Sequence, residues 1–224
     1  MTKLFVANWK SNKNKQEVIA WIESFQPYVG LEQKVVIAPP YPFLDLVNQN
    51  FQDKKDISMA AQDLSPYPAG SYTGEVCTRN LTDLGVKYVI LGHSERRRYF
   101  GESNLDVAKK ATQAVESGIA PILCVDQEYI EDQASLLDES ILENCLVAYE
   151  PSAAISTNGG DNASLEDVIK TSKKIKAAYG DVPVLYGGSV TPENVSEYLS
   201  VTDGVLVGGA SLDAETFMRL IHNE

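Results

Sequence analysis

Cysteine is sparse in this 224-residue chain: Cys77, Cys124 and Cys145 lie far apart, form no Cys-x-x-Cys pair, and have only two histidines to join them. That inventory excludes a disulfide scaffold and a zinc finger, and it points to a reducing cytoplasm with no structural metal. Positive charge is also short, with 19 Lys and Arg against 31 Asp and Glu and a formal net charge of −12. A basic groove for nucleic acid or an anionic membrane is therefore not expected, and any bound anion must be held locally. No apolar run approaches a bilayer span, and the first one, Leu4 to Ala7, is cut off by Asn8 and Lys10 before it could serve as a signal sequence. No linker rich in Pro, Ser or Gly divides the chain. With 44% hydrophobic and 22% charged residues, the length suits one well-buried core and is too small for two ordinary enzyme domains, so a single domain over 1–224 is expected.

Eight short apolar runs recur: 4–7, 35–38, 57–61, 88–91, 120–124, 146–149, 182–186 and 204–207. They do not alternate polar with apolar, as one-sided antiparallel strands would; continuous runs belong to parallel strands covered on both faces. Amphipathic segments lie between them, at 16–25, 104–117, 164–179 and 192–199. Ser164 to Asp167 loads a helix start with acceptors, Pro192 suits a first helical position, and Gly118 and Gly180 suit helix ends. Strand and helix alternating at about 28 residues per unit fit an α/β fold of βα repeats. An open doubly wound sheet would usually carry a glycine-rich phosphate loop after an early strand, which Asn8 to Asn12 is not, so a closed eight-stranded parallel barrel is favoured.

In such a barrel the chemistry sits just beyond the C-terminal ends of the strands. The residues there are Asn8 and Lys10, Gln62, His93 and Glu95, Glu150, Gly187 to Ser189, and Gly208 with Gly209. Taken singly, a Lys or Glu at a strand end is most often solvated or ion-paired. Converging on one rim, they suggest a site. Glu150, held before Pro151, can serve as a general base or as a loop cap. His93 precedes Ser94 to Arg98, which reads as a helix start with His93 or Ser94 at the cap, a position that disfavours imidazolium and leaves a neutral hydrogen-bond donor. Lys10 brings a local positive charge to an acidic protein. The glycine pairs allow backbone amides to approach an anion, or are simply turns. His222, near the end, reads as surface.

The segments Asn8-Trp9-Lys10, Ala61-Gln62-Asp63, Tyr72-Thr73-Gly74-Glu75, Gly92-His93-Ser94-Glu95-Arg96-Arg97, Ala148-Tyr149-Glu150-Pro151, Tyr186-Gly187-Gly188-Ser189-Val190 and Val207-Gly208-Gly209-Ala210-Ser211-Leu212 resemble, in order, the motifs of the triosephosphate isomerase family. The resemblance spans Asn8 to Leu212. It implies a TIM barrel that interconverts dihydroxyacetone phosphate and D-glyceraldehyde 3-phosphate through an enediolate, in glycolysis and gluconeogenesis, without cofactor or metal. It further implies Glu150 as the base, His93 as a neutral electrophile, and Asn8 and Lys10 on the substrate oxygens, an assignment that is the family's own. Phosphate would be gripped by amides of Ser189, Gly208 and Gly209. Glu95 would orient Lys10, relay protons, or form a buried ion pair with its basic neighbours. Thr73, at the tip of a full-length third loop, would reach a partner's site in a homodimer.

The pattern departs from the family at two places. In the lid after Pro151, Ala153 stands where a Trp is expected and Ser156 where a glycine amide would bind phosphate. Asp126-Gln127 stands after strand five, where the family has the glutamate on which that Trp rests, so both ends of the latch are altered. With the closed-state partners of Pro151 and Ile155, namely Tyr186 and Ser189, retained, the lid is expected to close while its open state is less pinned. The segment 126–144 between strands five and six is also short, with room for one short helix over 133–142 and thin cover for that side of the barrel. Two other functions are compatible with these residues: a barrel that keeps the phosphate grip but serves as a non-catalytic metabolite-binding or surface adhesion protein, and a related isomerase of a larger sugar phosphate admitted by the altered lid. The joint presence of Asn8, Lys10, His93 and Glu150 argues for catalysis, since binding phosphate alone requires neither a base nor an electrophile.

Overall fold

In a computed structural model, described here for residues 2–26, 33–151 and 162–222, eight strands run parallel and close on themselves in sequence order. They are β1 (Leu4–Asn8), β2 (Lys34–Ala38), β3 (Ile57–Ala61), β4 (Tyr88–Leu91), β5 (Ala120–Val125), β6 (Leu146–Tyr149), β7 (Val184–Tyr186) and β8 (Gly204–Val207). The (β/α)8 TIM-barrel expectation therefore holds. β7 starts two residues later than its apolar run because Pro183 has no N–H to give to a ladder.

The apolar runs are continuous because both faces of each strand are buried. Leu4 and Val6 point into the barrel with Val36, Ala60, Ile90, Ile122, Ala148, Leu185 and Leu206, whereas Phe5 and Ala7 pack outward under the helices. This two-residue period carries on past the strand ends: Asn8 continues the inward phase of Leu4 and Val6, and Glu150 that of Ala148. Closure demands a small residue at one point. A Cβ on Gly204 would stand 2.1 Å from the carbonyl oxygen of Leu4, so β8 can lie against β1 only with glycine there.

The helices begin where side chains satisfy their free amides. α1 (Lys15–Ser24) opens with a reciprocal Asn14 and Glu17 capping box, α5 (Asn104–Glu116) with Ser103 and Asp106, and α8 (Leu165–Tyr179) with Ser164 accepting from the Asp167 amide. The remaining helices are α2 (Leu44–Phe51), α3 (Thr78–Asp83), α4 (Ser94–Phe100), α6 (Ile130–Ala134), α7 (Glu139–Asn144), α9 (Val195–Leu199) and α10 (Ala214–His222). Trp21 of α1 fills the outer layer beside β1, stacked on Phe25 at 4.5 Å and edge-on to Trp9 at 4.7 Å.

Two local expectations are corrected. The stretch 192–199 is not helical from Pro192: the Asn194 side chain accepts from the Thr191 amide and donates to the Ser189 carbonyl, closing a turn, and α9 starts only at Val195. The stretch 133–142 is not one helix either. Asp138 accepts from the Ile141 amide and begins a second helix, so α6 and α7 share the short segment. Between them they bury Ile130, Gln133, Ala134 and Ile141.

Candidate active site

At the C-terminal mouth of the barrel, Asn8, Lys10, His93, Glu150, Gly187, Gly188, Leu206 and Gly208 line one cleft. Strand phase delivers Asn8 and Glu150, which are 5% and 3% exposed. Asn8 Oδ1 accepts from the Lys10 amide at 3.0 Å, and Lys10 takes a left-handed conformation with φ of 52°. A lysine in that region is strained, and here the bend turns its side chain across the cleft floor, where Nζ meets Glu95 Oε1 at 2.8 Å. The Lys10 carbonyl in turn receives Gln62 Nε2 at 2.9 Å, and the same nitrogen donates to Ala38 O. Gln62 was visible as a strand-end residue; its work, tying β1, β2 and β3 together behind Lys10, was not.

His93 is the N-cap of α4. Its Nδ1 accepts from the Glu95 amide at 3.2 Å, so that nitrogen carries no proton and the ring hydrogen belongs on Nε2. Nε2 lies 3.1 Å from Glu150 Oε1, off the line of a good hydrogen bond, and that buried oxygen has no hydrogen-bond partner among the described residues. The other oxygen, Oε2, accepts from the Ser94 amide at 3.0 Å. The carboxylate therefore rests on the first turn of α4 with one oxygen unspent. Behind it, Cys124 faces the barrel interior, its thiol pushed well above the ordinary range by burial and by the neighbouring Glu150 charge.

The turn bearing His93 is anchored from beneath. The Gly92 amide donates to Glu102 Oε2 at 3.0 Å, and Glu102 belongs to an ionic cluster with Arg96, Asp63 and the buried Lys110. Burial pushes the Asp63 carboxyl up, an effect opposed by Lys110 and Arg96. The Gly92 carbonyl accepts from Arg97 Nε at 2.8 Å, and Arg97 continues to Asn104 and Gln133 while covering the Tyr129 ring at 4.2 Å. Glu95 pairs with Lys10 across the chain and not with its basic neighbours: Arg96 faces the cluster, Arg97 the Gly92 carbonyl and Asn104, and Arg98 the Tyr99 ring. The local sequence does not show that Glu95 meets Lys10 or that Arg96 meets Asp63, because those partners lie tens of residues away.

On the far rim, Tyr186 is fully buried, stacks on Tyr198 at 3.9 Å, and its hydroxyl accepts from the Ala163 amide at 3.3 Å. Gly188 leaves room for that hydroxyl, which would stand 2.2 Å from a Cβ there. Ser189 follows, half-buried, and Pro151 is buried beside Glu150. Gly208 borders the Lys10 stem, and Gly209 begins a short 3-10 turn to Ser211. Ala153, Ile155 and Ser156 lie outside the described residues. Gln127 does not stand idle: its Nε2 reaches Tyr149 Oη at 3.3 Å and Thr171 Oγ1 at 3.4 Å, linking β6 to α8. Thr73 is exposed on the third loop, and His222 is half-buried in α10.

A family model described as triosephosphate isomerase matches residues 3–224. The chain belongs to the triosephosphate isomerase family. Among its relatives, the triosephosphate isomerase of Thermus thermophilus is 37% identical over 249 aligned positions, covering 99% of this chain and 98% of that protein. That of Mesomycoplasma hyopneumoniae strain 7448 is 37% identical over 245 positions and covers both chains completely. The triosephosphate isomerase of Thermoanaerobacter sp. strain X514 is 35% identical over 246, with 98% of each covered. These alignments are longer than the chain's own 224 residues, so its triosephosphate isomerase relatives carry residues that it lacks.

Proposed function

We infer that this chain is an isomerase that interconverts dihydroxyacetone phosphate and D-glyceraldehyde 3-phosphate, a step of glycolysis and gluconeogenesis. The observation that carries the reading is the pairing of a histidine protonated on Nε2 with a buried carboxylate 3.1 Å away. The reaction needs a base that removes a proton from one carbon and returns it to the next, together with a donor that polarises the carbonyl oxygen. Glu150 is the base: its Oε1 has no competing hydrogen bond among the described residues, and leaving the Ser94 amide frees the whole carboxylate to meet carbon. His93 Nε2–H is the donor. Lys10 Nζ, fixed by Glu95, and the amide of Asn8 hold the charge that builds on the enediolate oxygens.

The phosphate reading rests on the backbone amides of Ser189, Gly208 and Gly209, with the Ser156 position contributing from the lid and Pro151, Ile155, Tyr186 and Ser189 guiding its closure. Neither metal nor cofactor has a part in this chemistry. The whole chain, 1–224, acts as one barrel domain, and the working form is a cytoplasmic homodimer joined through the third loop around Thr73. Support for the dimer comes from exposed aromatic residues: Tyr67 stacked on Tyr72 at 4.6 Å in the third loop, and, at the end of α4, Tyr99 and Phe100, which are 62% and 71% exposed. Among the described residues no helix is long and apolar enough to cross a membrane.

The test is a coupled isomerisation assay with sedimentation of the same sample. Glu150→Gln is expected to lower kcat by roughly a thousandfold while leaving affinity for a two-carbon phosphorylated acid measurable. Absence of glyceraldehyde 3-phosphate turnover by the wild type would overturn the reading, and a fully active monomer at nanomolar concentration would overturn the dimer.

A further inference from the structure

The turn after β8 is held by its carbonyl groups. Gly208 O accepts from the Ser211 amide at 2.9 Å and from Ser211 Oγ at 2.7 Å. Ser211 O accepts from Trp21 Nε1 at 3.1 Å, and Leu212 O accepts from Lys13 Nζ at 2.6 Å. Two side chains from the start of the chain thus pin a turn that lies 190 and 199 residues further along. Trp21 is buried in the aromatic layer and has an evident packing role. Lys13 has none of comparable size.

Lys13 is also an expensive residue for its place. Its φ is 74°, in the left-handed region that glycine occupies freely and a side-chain-bearing residue does not. Its ammonium lies 5.3 Å from the centre of the Trp9 ring, and Glu17 and Asp213 are the carboxylates that face it. A strained conformation is retained where the surrounding contacts hold it, and the shortest contact of this side chain is the Leu212 carbonyl.

We propose that Lys13 is a positioning residue for the substrate phosphate: by binding Leu212 O it holds the turn 208–211 where the amides of Gly208 and Gly209 receive the anion. The inference rests on the isomerase reading for the identity of that anion. Lys13 touches no reacting atom, so its removal acts on phosphate binding and leaves the proton transfer between Glu150 and carbon intact.

The experiment compares wild type, Lys13→Gly and Lys13→Arg. Glycine relieves the backbone and deletes the brace, so its thermal midpoint is expected within about 3 °C of wild type. KM for glyceraldehyde 3-phosphate and the calorimetric Kd of a two-carbon phosphorylated acid are expected to rise roughly tenfold. Turnover of glyceraldehyde, which has no phosphate, is expected to stay within about twofold of wild type, because only the phosphate grip is affected. Arginine restores affinity by replacing the donor. If the glycine variant loses its fold, Lys13→Met, which keeps an unbranched apolar side chain and removes the donor, is read in the same way. Unchanged Kd, or an equal loss on both substrates, would overturn the proposal. A wild type that binds the phosphorylated acid but turns over neither substrate would sink the isomerase reading while leaving the Lys13 effect on Kd readable.

Discussion

A Cβ placed on Gly187 would stand 2.9 Å from Glu150 Cγ, closer than carbon atoms approach. The glycine after β7 is thus required by the carboxylate after β6, and the two strand ends shape each other. Gly187→Ala is expected to push Glu150 off its seat and lower kcat at least tenfold, since small misplacements of a reacting group cost up to about a hundredfold. Binding of a phosphorylated acid should change less than kcat. Steady-state kinetics with inhibitor titration measures both, and an unaltered kcat would mean that the carboxylate tolerates the displacement.

Lys10 Nζ and Glu95 Oε1 are 2.8 Å apart, with about a quarter of each side chain exposed. At that exposure the pair is screened and adds little to stability, so its value lies in orientation. Glu95→Gln should leave the thermal midpoint nearly unchanged and raise KM roughly threefold to tenfold, the effect of a loosened charge on bound substrate. A fall in kcat with KM constant would instead assign Glu95 to proton relay.

Lys110 is buried between Asp63 and Glu102, and Glu102 holds the Gly92 amide below His93. Removing the cation strands two carboxylates beside a single arginine. Lys110→Met should destabilise the fold by about 3 kcal/mol, equivalent to a drop of roughly 6–12 °C in Tm for a chain of this size. Differential scanning calorimetry reads the shift. A change below about 2 °C would mean that Arg96 alone neutralises the cluster.

Stability should also depend on the start of α5 in acid. Asp106 is held below the usual carboxylate range, first by its hydrogen bond to the Ser103 hydroxyl and then by the Ser103 amide. A folded pKa below the unfolded one means that the unfolded chain binds more protons. The stabilisation is therefore present above the ordinary value of 3.8 and is lost as pH falls through the folded value. Ser103→Ala should cost about 1 kcal/mol at neutral pH, with the deficit against wild type narrowing below pH ~4. Denaturant titrations at several pH values follow it, and a constant deficit would show that the cap acts without Asp106.

The strands were legible because burial on both faces leaves a mark in composition alone. Five residues at β3 and four each at β4, β6 and β8 match their apolar runs residue for residue. One helix start was as clear, since Ser164 acts on an amide only three residues away; Asn14 and Ser103 do the same but were not singled out. Legibility failed where a side chain competes with the helix for backbone partners, as Asn194 does before α9 and Asp138 before α7. Both interruptions depend on rotamers and turns that periodicity does not encode.

For the candidate site, the linear order of residues determined which groups stand at the barrel mouth, because strand ends are local and a closed barrel brings all of them to one rim. It could not determine who meets whom there. That Glu95 takes Lys10 and leaves Arg96 to Asp63, that the His93 proton sits on Nε2, that Gly187 must be bare for Glu150, and that Lys13 reaches the turn after β8 are decisions of tertiary structure. The physical reason is range. Hydrophobic burial is read from neighbours along the chain, whereas hydrogen bonds and ion pairs act over about 3 Å between residues that folding alone brings into reach.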